Sequence, residues 1–197
     1  DIKKFKPSKN IKKEPYTVGT ILRTAKWKRC QDVIKTLNRV IKEIPDIKLL
    51  ATGTKLDLEG LEKTAGEKIK FKVELVNAKN DKELVEFYSR SSVFLFTPQE
   101  EGFGLPPIEA MACGTPVVTT DCKGIREYSK NSYNSLICDV GDINNLTKSV
   151  RKILNDKKFA NKMVVNGIKT AKNWNWNKVA KRLEDVLLED KKISEAN

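Results

Sequence analysis

The sequence predicts an α/β fold with a Rossmann-like, doubly wound parallel sheet of about six strands flanked by helices. Three observations carry this prediction. Short runs rich in apolar and β-branched residues alternate with longer stretches of helical periodicity. The run Val93–Phe96 is apolar without alternation, as in a strand covered on both faces. The chain of 197 residues, 39% of them hydrophobic, is long enough to bury one such core.

The predicted elements follow one another in a regular order. In such a sheet, ligands bind outside the carboxyl ends of the strands, so the loops that follow the strands should converge on one site. The predicted strands are Thr17–Leu22, Ile47–Thr52, Ile69–Val76, Val93–Phe96, Pro116–Thr119 and Ser135–Cys138. The predicted helices are Val33–Ile44 (stopped by Pro45), Leu56–Ala65, Asp81–Ser89, Pro106–Ala112, one that begins after the N-cap Asp142, and two more that close the chain.

Basic residues are concentrated near the beginning of the sequence. The formal net charge is +12, and residues 1–29 hold ten basic residues against two acidic ones. A local excess of this kind attracts phosphates, nucleic acid or an anionic membrane. The lysines from Lys3 to Lys13 could equally form a solvated surface.

Several kinds of site are excluded or disfavoured by composition. Histidine is absent, which excludes a histidine-containing zinc site and an imidazole base. No apolar stretch approaches the ~20 residues of a membrane span, and no signal peptide is predicted. Four cysteines without CxxC spacing are expected to be reduced, buried thiols of an intracellular protein. They are Cys30, Cys113, Cys122 and Cys138.

The segment after the fourth predicted strand has the chemistry of an anion site. Gly102 and Gly104 flank Phe103, so backbone N–H groups can approach a ligand without a side chain in the way. Pro106 and Pro107 suit the first turn of a helix, where no amide donor is required. A glycine turn that leads into a helix offers free N–H groups and the positive end of the helix dipole. This pattern predicts a diphosphate site.

Two glutamates bracket this turn, with seven residues between them. Glu101 lies in the predicted loop and Glu109 in the predicted helix, so we expect them to reach different parts of one ligand. Taken singly, Glu109 could be a favourable acid at a helix N-terminus, and the glycines could be turn residues. Their combination on a strand–loop–helix unit at the ligand edge favours a binding role.

The segment from Glu101 to Val118 resembles the Glu-x7-Glu signature of retaining glycosyltransferases of the GT-B group called family 4. The signature reads Glu101-Gly-Phe-Gly-Leu-Pro-Pro-Ile-Glu109, followed by Ala-Met-Ala-Cys-Gly-Thr-Pro-Val-Val. This block is highly specific. Weaker resemblances occur in the family's order along nearly the whole chain. They are Asp1–Pro7, Val18-Gly19, Lys28-Arg29, Glu83–Phe96, Asn134–Ile137 and Trp176.

The resemblance implies a role for each matched residue. Glu101 would lie beside the hydroxyls and the anomeric carbon of the donor sugar, and Glu109 would bind the ribose. Lys28 matches the lysine that neutralises the departing diphosphate, so Glu101 and Lys28 are the predicted catalytic residues. Further donor contacts are predicted at the opening of the nucleotide half, in the base loop and in the glycine turn. They are Gly19, Arg23, Asn77, Gly102, Phe103, Gly104 and Leu105.

The sequence departs from the family pattern in the loop after the first strand. Thr20 stands where the family often has arginine, and Arg23 is close enough to substitute for it. Lys26 competes with Lys28 for the phosphate role. Arg29 replaces the usual glycine, which is tolerable if that position does not need a positive φ.

The resemblance also implies an activity and a division into domains. A hexose would pass from a UDP-, GDP- or ADP-sugar to a glycan or lipid-linked acceptor, with retention at the anomeric carbon. No metal or other cofactor is expected. We expect residues 1–15 to be an inter-domain linker, residues 16–175 the nucleotide-sugar-binding domain, and residues 176–197 a helix that packs back toward a missing N-terminal domain. This C-terminal domain alone would bind donor without transferring sugar.

Two other classes of function can be weighed on the sequence. An epimerase or a glycan phosphorylase relative would share the fold, but the Glu-x7-Glu block disfavours both. The net charge suggests a nucleic-acid-binding domain, yet residues 1–29 contain only Phe5, Tyr16 and Trp27 for base stacking. We therefore expect no nucleic-acid partner. The basic segment fits phosphate attraction or docking on an anionic membrane, so we expect a cytoplasmic protein, either free or peripheral at the membrane.

Overall fold

Six parallel strands form one sheet in the computed structural model of the chain, which describes residues 2–23, 25–53, 55–174 and 176–195. The strands are β1 (Thr17–Ile21), β2 (Lys48–Thr52), β3 (Lys72–Leu75), β4 (Val93–Phe96), β5 (Val117–Thr120) and β6 (Ser135–Cys138). They lie in the order β3-β2-β1-β4-β5-β6, and every neighbouring pair is parallel. The predicted Rossmann-like fold is confirmed.

Seven α-helices in the described part of the chain flank the sheet or follow it. They are α1 (Cys30–Val40), α2 (Leu58–Ala65), α3 (Asp81–Arg90), α4 (Leu105–Ala112), α5 (Ile143–Asn155), α6 (Lys157–Asn173) and α7 (Trp176–Glu195). The side chain of Asp142 accepts a hydrogen bond from the Asn145 amide, which confirms it as the N-cap of α5. Short 3₁₀ turns cover Lys26–Lys28 and Gly124–Glu127.

Strand β3 is shorter than predicted, because side chains bind the backbone before it. Asn38 donates to the Lys68 carbonyl at 2.7 Å and accepts from the Lys70 amide at 3.0 Å. The Ile69 amide donates to Glu62 at 2.9 Å. These backbone groups are satisfied without a neighbouring strand, so sheet pairing begins only at Lys72.

The sheet is buried on both faces, and successive strand residues point into different cores. Leu49, Leu95 and Val118 face the core that α1 and α5 cover. The neighbouring residues Leu50, Phe94 and Val117 face the core that α3 and α4 cover. The sheet is therefore packed between two layers of helices, and its carboxyl edge is left for the loops that follow the strands.

The N-terminal segment packs on the domain rather than extending from it. Phe5 is buried, and its ring centroid lies 6.3 Å from that of Tyr88. The Lys13 ammonium donates to the Ser91 carbonyl at 3.0 Å and to Thr115 Oγ1 at 2.8 Å. Residues predicted to be an inter-domain linker thus belong to the packed structure. The predicted domain boundaries remain a proposal.

All four cysteines are free and buried, as the sequence predicted.

Helix α7 exposes a series of large apolar side chains, which are Trp176, Val179, Leu183, Val186, Leu187 and Leu188. No described helix combines the length and apolar character needed to cross a membrane.

Candidate functional site

The site lies where the strand order reverses. From β1 the chain moves outward to β2 and β3, and from β4 it moves the other way to β5 and β6. The chain therefore leaves β1 and β4 in opposite directions, and a crevice remains between the two connections at the carboxyl edge. This is the usual ligand position in such sheets. Two hydrogen bonds join these loops: the Gln99 amide donates to the Trp27 carbonyl at 2.7 Å, and Thr97 Oγ1 donates to the Arg29 carbonyl at 3.1 Å.

The two predicted catalytic residues meet in this crevice. Lys28 Nζ contacts Glu101 Oε1, and the two side chains are only 19% and 18% exposed. Lys26 lies in the same 3₁₀ turn but is exposed to solvent. Of the two lysines that competed for the phosphate role, the structure therefore brings Lys28 to Glu101.

A cavity of about 570 Å³ opens around this ion pair. Lys123 Nζ donates to Glu100 Oε1 at 3.0 Å across its rim. The cavity thus contains two ammonium groups and two carboxylates, and its walls are almost balanced in charge. Its lining residues are Trp27, Lys28, Glu100, Glu101, Gly102 and Lys123.

The start of α4 has the geometry that the glycine turn predicted. Gly104 is the N-cap residue with φ +79°, and no side chain caps the first amides of the helix. Tyr128 donates its hydroxyl hydrogen to the Gly104 carbonyl. The Phe103 ring packs against Tyr128 and Trp174, with centroids 5.1 and 5.3 Å away. Packing therefore fixes the turn, while its amides stay available to an anion.

Glu109 lies on a separate, larger cavity of about 670 Å³, which Phe103 and Leu105 also line. The buried Tyr88 hydroxyl donates to Glu109 Oε2 at 2.8 Å and orients the carboxylate. Burial raises the pKa of Glu109 above its ordinary value, and the hydrogen bond from Tyr88 offsets part of this rise. The two glutamates of the signature therefore face different spaces.

The predicted donor contact of Gly19 stays a prediction, and the structure shows a packing role for this glycine. Gly19 is buried in the middle of β1, between Leu50 and Phe94 of the neighbouring strands. A Cβ atom there would lie 2.1 Å from Ser91 Oγ and 2.9 Å from Ser91 Cβ. The glycine is needed because the end of α3 packs directly against this strand.

Two further predictions concern loop residues at the same edge. Arg23 and Asn77 are both exposed after β1 and β3, and neither is among the residues that line the two cavities. Their donor contacts stay predictions. The condition set for Arg29 is not met, because this residue has φ +47° and ψ +45°, the left-handed conformation that favours glycine.

The sequence did not predict several residues of the site, which are Trp27, Tyr88, Glu100, Lys123 and Gly124. Lys123 reaches the cavity because residues 101 and 123 form an isolated parallel bridge between their loops. Gly124 lies against the same loop, where a Cβ atom would meet Glu101 O at 2.4 Å. Tyr88 orients Glu109 from α3. The dipeptide Lys123-Gly124 after β5 was the one sequence signal for a turn at this edge, and a single glycine is a weak signal.

Within the part of the chain that the structure describes, no three Cys, Asp or Glu side chains are grouped as metal ligands would be. The expectation that the reaction needs no metal stays a prediction.

A model of the family described as glycosyl transferases group 1 matches residues 1–170. The chain belongs to this family. CapM, a capsular polysaccharide biosynthesis glycosyltransferase from Staphylococcus aureus, is 25% identical over 158 residues, which is 80% of this chain and 42% of CapM. The N-acetyl-α-D-glucosaminyl L-malate synthase of Bacillus anthracis is 31% identical over 139 residues, 70% of this chain and 36% of the enzyme. The chain therefore spans less than half the length of these relatives.

Solved structures of other proteins share the fold. The C-terminal domain of a family member from Francisella tularensis superposes with a TM-score of 0.72 at 23% identity, over 88% of this chain and 96% of that domain. HepE from Anabaena, solved with UDP-glucose, gives 0.77 at 18% identity, over 96% of this chain and 55% of HepE. At these identities the likeness shows the fold, which is that of the C-terminal domain of GT-B glycosyltransferases.

Proposed function

We propose that this glycosyltransferase domain binds the nucleoside-diphosphate sugar from which a retaining hexosyltransferase transfers its sugar. The observation that carries the proposal is the Lys28–Glu101 pair in the crevice between β1 and β4, beside the uncapped start of α4. In this arrangement an ammonium group and helix-terminal amides surround the place for a diphosphate. UDP-sugars are the first donors to test, because HepE was solved with UDP-glucose.

Each group has a task in the proposed reaction. The bond between the anomeric carbon and the diphosphate oxygen breaks, and the acceptor oxygen bonds to the same face of that carbon. The acceptor proton passes to an oxygen of the departing phosphate. Lys28 and the amides of residues 103–105 stabilise the charge that develops on the diphosphate. Glu101 lies beside the sugar and Glu109 accepts hydrogen bonds from the ribose.

Donor binding and sugar transfer are separate claims. We propose that the acceptor is bound by an N-terminal domain, and that the exposed apolar face of α7 packs toward that domain. The chain as given then binds donor but transfers no sugar. Transfer would require the full-length protein, where the anomeric configuration of the product tests retention and unchanged activity in EDTA tests independence from metal.

Calorimetry with UDP-, GDP- and ADP-sugars tests the binding claim. We expect one base series to bind, and Glu109→Ala to weaken that binding about tenfold or more, because hydrogen bonds to a charged group contribute about 1.5–3 kcal/mol. Glu86→Ala, which changes an exposed glutamate of α3, is the matched control. Absence of binding by every nucleotide sugar, or full affinity in Glu109→Ala, would refute the proposal.

A further inference from the structure

The turn of residues 122–124 has a strained backbone at the mouth of the smaller cavity. Lys123 adopts φ +65° and ψ −67°, and the Gly124 amide donates to the Cys122 carbonyl at 2.8 Å. This is a γ-turn of the rare form with positive φ. Strain of this kind costs about 1–3 kcal/mol and persists only where the surroundings enforce it. Because such strained residues cluster at binding and active sites, the strain indicates a role of Lys123 in the cavity.

The strained turn is bonded to the loop that carries Glu101. The Glu101 amide donates to the Cys122 carbonyl at 3.1 Å, and the Gly124 amide donates to the Glu101 carbonyl at 3.2 Å. The backbone of Glu101 is thus hydrogen-bonded to the residues on either side of Lys123. The same bonds aim the Lys123 side chain at the cavity that Lys28 and Glu101 share.

The present partner of Lys123 is easily replaced. Its ammonium pairs with Glu100, and the two side chains are 72% and 63% exposed. Exposed ion pairs contribute little to stability, about 0–1 kcal/mol. A diphosphate in the cavity carries more negative charge than one carboxylate and would compete well with Glu100 for the Lys123 ammonium.

We propose that Lys123 is a second cation of the donor site and binds the anionic oxygens of the donor, with Glu100 holding its ammonium at the rim until the ligand arrives. The inference rests on the proposed donor-binding function and adds a residue to it. A diphosphate carries more charge than Lys28 alone can neutralise, especially because Lys28 is already paired with Glu101. Lys28 and Lys123 both line the cavity, and two ammonium groups meet that need.

The test measures binding of inorganic pyrophosphate and of the nucleotide sugar that binds best. Lys123→Ala removes the ammonium and keeps the strain, whereas Lys123→Gly removes both. We expect both variants to lose affinity about five- to tenfold, although Lys123→Gly should have a higher Tm than Lys123→Ala. A loss of affinity in the better-folded variant cannot come from misfolding.

Two further variants sharpen the result. Glu100→Gln frees Lys123 from its partner and should raise affinity about two- to threefold. Lys162→Ala, which removes an exposed lysine of α6, should leave affinity unchanged. Comparison of glucose 1-phosphate with glucuronic acid 1-phosphate identifies the source of the anion. An effect on pyrophosphate assigns Lys123 to phosphate, and an effect on the glucuronate alone assigns it to a sugar carboxylate.

The outcomes separate the two proposals. If the wild-type chain binds no nucleotide sugar and no pyrophosphate, the proposed function fails and this inference fails with it. If the wild type binds them and both Lys123 variants bind the nucleotide sugar, pyrophosphate and glucuronic acid 1-phosphate as well as the wild type does, the inference alone is overturned.

Discussion

Arg29 combines an unfavourable backbone with a favourable side-chain contact. Its left-handed conformation costs about 1–2 kcal/mol for a residue with a Cβ atom. Its guanidinium pairs with Asp32 through Nε at 2.7 Å and Nη2 at 3.2 Å, and Asp32 is only 2% exposed. A buried carboxylate that loses its partner costs about 3–5 kcal/mol. The ion pair therefore outweighs the strain.

This comparison predicts that Arg29→Gly, although it restores a residue suited to the backbone, lowers the free energy of unfolding by about 1–3 kcal/mol. Urea denaturation measures the change. In the background of Asp32→Asn, where no buried charge is left behind, the same substitution should cost less. A more stable Arg29→Gly variant would show that strain dominates at this position.

At the scale of elements, the two glycines beside Glu101 are in opposite surroundings. A Cβ atom on Gly124 would lie 2.4 Å from Glu101 O and 2.5 Å from Gly102 O, both backbone atoms that cannot rotate away. A Cβ atom on Gly102 would have no neighbour within 4 Å. The turn after β5 therefore sets the position of the loop after β4 by direct contact.

We predict that Gly124→Ala displaces this loop, weakens nucleotide-sugar binding at least tenfold and lowers stability by about 1–3 kcal/mol. Gly102→Ala is the control for stability, which it should leave within about 0.5 kcal/mol of the wild type. Calorimetry and thermal unfolding of both variants check the prediction. Equal stability of the two would contradict the steric argument.

The sequence was a good guide to elements and a poorer guide to contacts between them. Lys28 and Glu101 could be assigned to one site in advance, because the family resemblance marks both and the loops that carry them follow strands whose carboxyl ends lie at one edge. Lys123 could not, since its place depends on a bridge between two loops. A glycine does not reveal which neighbour requires it, so the packing of Ser91 against Gly19 could not be predicted either.

At the scale of the whole molecule, the end of the N-terminal segment packs at the edge of the sheet where the strands begin, opposite their carboxyl ends. Glu14 contacts Arg90 and Lys48, and these hydrogen bonds lower the pKa of its carboxyl. Beside it, burial of the ammonium lowers the pKa of Lys13 to about 8. The segment is thus attached by groups whose protonation is linked to folding.

The Lys13 shift predicts a specific pH dependence. Between pH 8 and its ordinary pKa of 10.5, the unfolded chain holds the Lys13 proton and the folded chain does not, so this residue makes stability rise with pH. The contribution is lost as the pH falls through 8. Lys13→Met should remove it, and the difference between wild type and variant isolates it from other titrating groups. Urea unfolding at pH 7.5 and 10 measures that difference, which should favour the wild type more at pH 10.

Because Cys122 is buried, the rate at which its thiol is alkylated can report motion at the donor site. Its carbonyl holds the Glu101 amide, and burial raises the pKa of its thiol to about 11. Such a thiol hardly reacts with alkylating reagents while the turn is closed. The rate at which this thiol is alkylated therefore reports how often the 122–124 turn opens. A ligand that bridges Lys28 and Lys123 should lower the alkylation rate of Cys122, and no engineered cysteine is needed to measure it.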